Sequence, residues 1–112
     1  MFRIPYTFTR TAEGEIVNGR YSDGQTETFT ASANVQPASA SDYDSLLALA
    51  EGRRIERAVR LYSSRRLQVA GEASRGDRFT FEGNVYEIAG VAPWRSTPLR
   101  HYKYLAWGVL EP

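Results

Sequence analysis

Alternating apolar and polar residues between Gly76 and Val91 form the clearest pattern in the chain, and they predict a β-hairpin. Arg78–Glu82 and Val85–Ala89 are the predicted strands. Gly83-Asn84 is the predicted two-residue turn, because glycine in the first position suits a type II′ turn. A lone hairpin is marginally stable in water, so the rest of the chain must cover its apolar face.

The predicted register of this hairpin collects its large apolar side chains on one face, because residues directly opposite each other point the same way. It places Phe81 opposite Tyr86 and Phe79 opposite Ile88. The other face is expected to meet water, and it carries Arg78, Thr80, Glu87 and Ala89.

Several other segments alternate with the same period of two and are predicted to be strands. The first places Phe2, Ile4, Tyr6 and Phe8 on one side, and Pro5 restricts it to a sheet edge or an arm. The predicted strands are Phe2–Thr9, Glu15–Tyr21, Gln25–Gln36, Ala58–Tyr62, Leu67–Ala70 and His101–Val109.

One short helix is predicted over about residues 42–51, with Ser41 or Asp42 as its cap. Its apolar residues recur at intervals of three and four, which gives one stripe that needs a sheet beneath it. These residues are Tyr43, Leu46, Leu47 and Ala50.

Short strands separated by turn signals, with one short helix, predict a mainly β fold: a small antiparallel β-barrel or sandwich with extended loops. At 112 residues the chain fits a single domain, residues 1–112, in which residues 1–24 form an N-terminal arm or a hairpin. Pro93 and Pro98 predict a loop of about ten residues before the last strand.

Charge is distributed unevenly along the chain. Residues 1–52 hold three arginines and seven acidic residues, for a net charge of −4. Residues 53–112 hold eleven basic and six acidic residues, for a net charge of +5. Such a molecule can stack head to tail with its own copies.

The chain carries no recognisable catalytic constellation, and enzyme activity is not expected. His101 is the only histidine and lies in an aromatic strand without a local carboxylate. There is no cysteine and no phosphate-loop motif, so neither a metal nor another cofactor is expected. No apolar run is long enough to span a membrane, and the N-terminus lacks a signal-peptide core.

Six arginines crowd residues 53–66, and two hypotheses account for them. They line a surface that faces phosphates, such as a DNA-filled lumen, or they pair with acidic residues of a neighbouring subunit. The second hypothesis is preferred, since base-stacking aromatics are sparse in this segment. The candidate residues are Arg53, Arg54, Arg57, Arg65 and Arg66.

Aromatic residues make up 12% of the chain, and some are candidate interface anchors. Trp94 lies in a proline-flanked loop, where it either contacts another subunit or covers the barrel. Phe2 and Tyr6 lie in the first predicted strand, which either packs within its own subunit or reaches a neighbouring subunit as an arm.

Several stretches between residues 34 and 110 together resemble the head-closure, or stopper, proteins of tailed bacteriophages. The order is a strand ending in V-Q-P, a helix, E-G-x-R, an R-x-Y strand, a G-D-x hairpin with Y-E-I, a loop tryptophan and an aromatic last strand. The stretches are VQPASASDYDSLLALAEGRR, AVRLYSS, LQVA, GDRFTFEGNVYEIAGVAPW and HYKYLAWGV.

This resemblance implies a structural, non-enzymatic protein of the virion neck, assembled in the cytoplasm of the bacterial host. It implies a β-barrel that forms a six- or twelve-fold ring, with the portal or adaptor protein above and the tail terminator or tail tube protein below. The ring would retain packaged DNA, with non-specific contacts to it. The alternatives are another phage ring protein, such as a tail terminator or adaptor, or a small-barrel nucleic-acid-binding module.

Overall fold

The computed structural model describes residues 3–12, 15–22, 24–50, 52, 54–71, 75–94 and 101–109. These residues form eight strands and one helix. In chain order they are β1 (Ile4–Thr11), β2 (Glu15–Val17), β3 (Arg20–Ser22), β4 (Thr26–Pro37), α1 (Ala40–Leu49), β5 (Ala58–Ser63), β6 (Arg78–Phe81), β7 (Asn84–Trp94) and β8 (His101–Gly108).

Six of the strands close into an antiparallel barrel in the order β1-β4-β5-β8-β7-β6, and β2 and β3 pair separately as a two-stranded sheet. The predicted mainly β fold with one short helix is confirmed. Because neighbouring strands alternate in direction, β1, β5 and β7 run towards one end of the barrel, here called the upper end. The other three run towards the opposite, lower end.

The barrel interior is filled by the apolar side of each strand, as the period-two alternation predicts. Ala31 and Ala33 on β4 lie opposite the larger Tyr6 and Ile4 on β1, so small and large side chains share the available space. The buried interior consists of Phe8, Ala31, Ala33, Val59, Leu61, Leu67, Phe79, Tyr86, Ile88, Tyr104 and Ala106.

The predicted β6–β7 hairpin exists, but its register and turn were wrong. The turn residues are Glu82 and Gly83, which both have positive φ angles (51° and 80°), as a type I′ turn requires. Phe79 therefore pairs with Tyr86. The pairing is displaced by two residues, which leaves every side chain on its predicted face. Phe79, Tyr86 and Ile88 are buried in the interior cluster.

The outer face of this hairpin meets water only in part, because Thr80 is exposed as predicted but Glu87 and Ala89 are buried. Ala89 belongs to a second apolar cluster between α1 and the outside of the barrel, together with Leu46 and Trp107. A β-bulge at Ala89 places two successive residues of β7 on this outer side.

The helix begins and ends about two residues earlier than predicted. Its N-cap is Ser39, whose hydroxyl accepts a hydrogen bond from the backbone N–H of Asp42, while the Asp42 carboxylate accepts one from the Ser39 N–H. This is a capping box. Leu46 is fully buried, but Leu47 is 53% exposed, so the predicted stripe is too wide by that residue.

Two predictions in the second half of the chain were wrong. Leu67–Ala70 is not a strand. Pro93 and Trp94 do not belong to a loop, because β7 continues through both and pairs with β8. A proline is tolerated there since β6 pairs only with the first four residues of β7, which leaves that edge without a strand neighbour in the described barrel.

The N-terminal region supplies both a barrel strand and a hairpin. Pro5 lies in β1, which pairs with β4 along its whole length. Ile4, predicted on the buried side, is 55% exposed because it lies at the lower rim of the barrel. β2 and β3 form a hairpin around Asn18-Gly19, both with positive φ. Phe2 and Arg53 lie outside the described residues.

Candidate functional site: the two ends of the barrel

The upper end of the barrel is closed by the segment that joins β5 to β6. Its anchor is Asp77, which is fully buried. Arg10 binds both carboxylate oxygens of Asp77, with Nε–Oδ1 and Nη2–Oδ2 distances of 2.9 and 2.8 Å. The backbone N–H of Gln68 donates to the same carboxylate at 2.8 Å. The segment is therefore tied to β1 by a bidentate ion pair.

Backbone hydrogen bonds continue this closure into the barrel wall. The Asp77 N–H donates to Gln68, the Ile88 N–H donates to Asp77, and the Ala70 N–H donates to Ile88. At Gly76, an added Cβ would lie only 2.0 Å from the Ile88 carbonyl oxygen, so no side chain fits there.

Tyr104 connects this segment to the interior. Its hydroxyl accepts a hydrogen bond from the Leu67 N–H at 2.9 Å and donates one to the Arg65 carbonyl oxygen at 3.1 Å. Burial raises the pKa of Tyr104, so its hydroxyl stays protonated and keeps donating at neutral pH.

Cations outnumber anions among the described side chains at the upper end. Arg65, Arg66 and Arg75 are exposed, and the guanidinium of Arg65 lies 4.5 Å from the centre of the Phe29 ring. The acidic side chains described there are Asp77, whose charge Arg10 offsets, Glu27, and Glu87, which accepts a hydrogen bond from the Gly76 N–H. This end can attract polyanions.

α1 packs on the outer face of the barrel wall, against β5, β7 and β8, and a second buried aspartate fastens it there. Lys103 Nζ lies 2.8 Å from Asp42 Oδ1, and Arg60 Nη1 lies 3.9 Å from Oδ2. Burial alone would raise the pKa of Asp42, but the hydrogen bonds from Lys103 and Ser39 outweigh burial and lower it. The helix is thus joined to β5 and β8 by charge as well as by packing.

The arginines predicted as one cluster lie at both ends of β5. Arg54 and Arg57 precede the strand at the lower end, whereas Arg65 and Arg66 follow it at the upper end, about 20 Å away along a strand of six residues. Arg54 is highly exposed and lies 3.9 Å from Glu56. The Arg57 side chain packs against Gly108. A single binding surface can therefore contain only some of the predicted arginines.

The candidate interface aromatics have separate environments. Tyr6 is half-buried, and its ring centre lies 6.0 Å from that of Phe79 and 6.4 Å from that of Phe81. Trp94 ends β7 opposite His101 of β8. The side chains of Trp94 and His101 lie outside the described part of the structure. A role for Tyr6 or Trp94 in contacts between subunits stays a prediction.

A groove of about 520 Å³, which sequence reasoning missed, lies where β1 and β6 separate. These strands pair only through Phe8–Phe79 and Thr9–Arg78, so the lower part of the barrel wall is split. The groove is lined by Pro5, Tyr6, Thr7, Thr9, Arg78, Phe79, Thr80 and Val85.

Neither a metal centre nor a membrane-spanning helix is found in the described residues. Their histidine, aspartate and glutamate side chains do not gather in groups of three or more that could hold an ion. The helix formed within these ranges is not long and apolar enough to cross a bilayer.

Comparison with known protein families assigns this architecture. The family model of phage head completion proteins matches residues 3–107, from the start of β1 almost to the end of β8. The chain belongs to this family. No match was found among curated proteins. As a head completion protein, the chain has a structural role in closing the phage head and is a component of the virion.

A head completion protein interacts with other proteins of the phage head and tail. The match also covers the candidate arginines and Tyr6 and Trp94. The resemblance to head-closure proteins, based on residues 34–110, is thereby confirmed and extended to β1–β3.

Proposed function

We propose that this head completion protein forms a ring in the neck of the virion and retains the packaged DNA. In this proposal the ring joins the portal or adaptor protein to the tail terminator or tail tube protein. The observation that carries the proposal is the family match over nearly the whole chain, together with the closed barrel that the matched residues form.

A ring requires each copy to contact two neighbours through two different surfaces. The split arginine set fits such an arrangement. Arg54 and Arg57 at the lower end are candidates for contacts between copies, since Arg54 already lies beside an acidic side chain, Glu56. Copies assemble in the host cytoplasm before the tail is joined.

The upper end is the better candidate for contact with DNA. Arg65 and Arg66 are exposed and follow directly after β5. Each copy would make few phosphate contacts, but the ring repeats them, so together they hold a duplex electrostatically. Such contacts carry no sequence-specific binding that would slow ejection. We therefore expect replacement of both by glutamine to reduce DNA retention and leave barrel stability nearly unchanged.

The direct test is a phage with the gene inactivated, complemented from a plasmid. Without complementation we expect heads that package DNA, lose it on storage, and fail to join tails. Protected DNA per particle and the fraction of tailed particles measure the two effects. The plasmid with the wild-type gene should restore both.

Infectious particles at normal yield without the protein would overturn the proposal. Heads that retain DNA but carry defective tails would instead favour the tail-terminator alternative. The Arg65→Gln/Arg66→Gln variant tests loss of the DNA contact separately from loss of the whole protein. Arg54→Gln, at the other end of β5, is its matched control.

A further inference from the structure

We infer that the groove between β1 and β6 receives the β2–β3 hairpin of a second copy of the chain. This inference rests on the proposed self-association and names the surfaces that would carry it. Each copy would donate its hairpin to one neighbour and accept a hairpin from the other. Such a contact joins unlike surfaces, as a closed ring requires.

The groove offers edges for strand addition. If β1 and β6 stayed paired below Phe8–Phe79, Thr7 would lie opposite Thr80 and Tyr6 opposite Phe81. They do not pair, so both strands have an edge there without a partner in the described barrel. Tyr6 is half-buried beside this gap, and Thr7 and Thr80 are exposed along it. An extended segment placed there could bond to the backbone of both edges and cover the exposed part of Tyr6.

The hairpin is the segment of the chain that most needs a partner. β2 and β3 pair only with each other, through Glu15–Ser22, Ile16–Tyr21 and Val17–Arg20. An isolated two-stranded hairpin is marginally stable in water. Each of its strands has three residues, about 10 Å, and the free edge of β1 from Ile4 to Thr7 is about 13 Å long.

Charge favours the same pairing. The sequence of the hairpin and its flanks carries Glu13, Glu15 and Asp23 against the single base Arg20. Arg78 lines the groove. The rest of the lining is apolar or hydroxyl-bearing, so the net charge of the groove lining is positive, whereas that of the hairpin and its flanks is negative.

The connectivity favours a neighbour over the hairpin's own groove. The hairpin follows Thr11, at the upper end of β1, whereas the groove opens along Ile4–Thr7 at the lower end. The Ala12 N–H donates to the Gln25 carbonyl oxygen, which continues the β1–β4 pairing to the base of the hairpin and holds that base at the upper end.

Cysteine cross-linking in assembled particles tests this contact, and the absence of natural cysteines leaves no background. Phage lacking the gene is complemented with Thr7→Cys combined with Val17→Cys or with Ser22→Cys. After mild oxidation, we expect at least one pair to give a ladder of covalent oligomers on a non-reducing gel. Ladder formation requires Cβ atoms about 4 Å apart.

Single-cysteine variants, and Thr7→Cys combined with Ala48→Cys on the exposed side of α1, are the controls and should give no ladder. Incorporation without a ladder from either pair would overturn the inference while the proposed ring stands. A link within one chain, or Thr7→Cys dimers without a hairpin cysteine, would also overturn it. Infectious particles that contain no copy of the protein, neither wild type nor variant, would remove the proposed function itself.

Discussion

Two elements that cover the barrel, α1 on the outer wall and the segment between β5 and β6 at the upper end, each contain a buried aspartate, but they are held by different means. On the outer wall, Asp42 caps a helix whose apolar side packs against the barrel, so the ion pair with Lys103 adds to packing. At the upper end, Asp77 fastens a segment whose described residues form neither a helix nor a strand. Among these described residues, Leu67 alone is fully buried in the interior cluster.

This difference indicates where the attachment of each element obtains its stability. The attachment of α1 depends mainly on burial of apolar side chains, which tolerates partial loss of an ion pair. The upper closure depends on hydrogen bonds and charge in a buried setting, where loss of one partner leaves the other uncompensated. The upper end should therefore be the more sensitive to polar substitutions.

The largest effect is expected for Asp77→Asn. The variant leaves the guanidinium of Arg10 beside a neutral amide, and removing one member of a buried ion pair costs about 3–5 kcal/mol. Urea unfolding measures the loss in the free energy of unfolding. Glu27→Gln, an exposed carboxylate near the same end, is the control, with an expected change below about 0.5 kcal/mol. Equal effects in the two variants would contradict this view of the upper end.

The Leu46→Ala variant tests how α1 packs against the barrel. Leu46 is fully buried between α1 and the barrel, so truncation should cost about 3 kcal/mol in the free energy of unfolding. Leu47→Ala, its half-exposed neighbour on the same helix, should cost less than about 1 kcal/mol. If the two variants unfold at the same urea concentration, α1 does not pack as described.

The close approach at Gly76 gives a smaller effect at the upper end. Gly76→Ala places a methyl group against the Ile88 carbonyl oxygen, and the backbone shift needed to relieve this should cost about 2 kcal/mol. Gly90→Ala is the matched control, because its nearest neighbour is the flexible end of Leu49 at 3.3 Å. Thermal unfolding followed by circular dichroism compares them, and a control as unstable as Gly76→Ala would refute the prediction.

The smallest effect is the pH dependence of the stability that Asp42 contributes. The folded pKa of Asp42 is lowered from its ordinary value of about 3.9. The stability it contributes is therefore fully present above about pH 4 and is lost as pH falls through the lower, folded pKa. The free energy of unfolding of Asp42→Asn should be lower than that of wild type at pH 6, and the difference should shrink as the pH falls to 3. A deficit that is constant over this range would contradict the lowered pKa.

Much of the barrel could be predicted from the sequence because the period-two alternation decides which side of a strand is buried. The sides of β4, β5 and β8 follow it. Details that depend on turn geometry were harder to predict from the sequence. The β6–β7 register was displaced because Glu82, not Asn84, adopts a positive φ. Asn18-Gly19 is a strong turn signal that indicates the β2–β3 hairpin, and it was overlooked.

The candidate site was less predictable because it depends on contacts between residues far apart in sequence. Asp77 and Arg10 are separated by 67 positions, and no local pattern joins them. The arginines of residues 53–66 are close in sequence, but β5 separates them in space. The groove arises where a strand pair ends early, and the length of a strand pair is set by the closure of the whole barrel.

Cryo-electron microscopy of the intact virion tests the central claim most directly. The account predicts a ring of these barrels between the portal and the tail, with the upper end of each copy, including Arg65 and Arg66, facing the channel that holds the DNA. A neck without density for this barrel, or copies located only elsewhere in the particle, would contradict it.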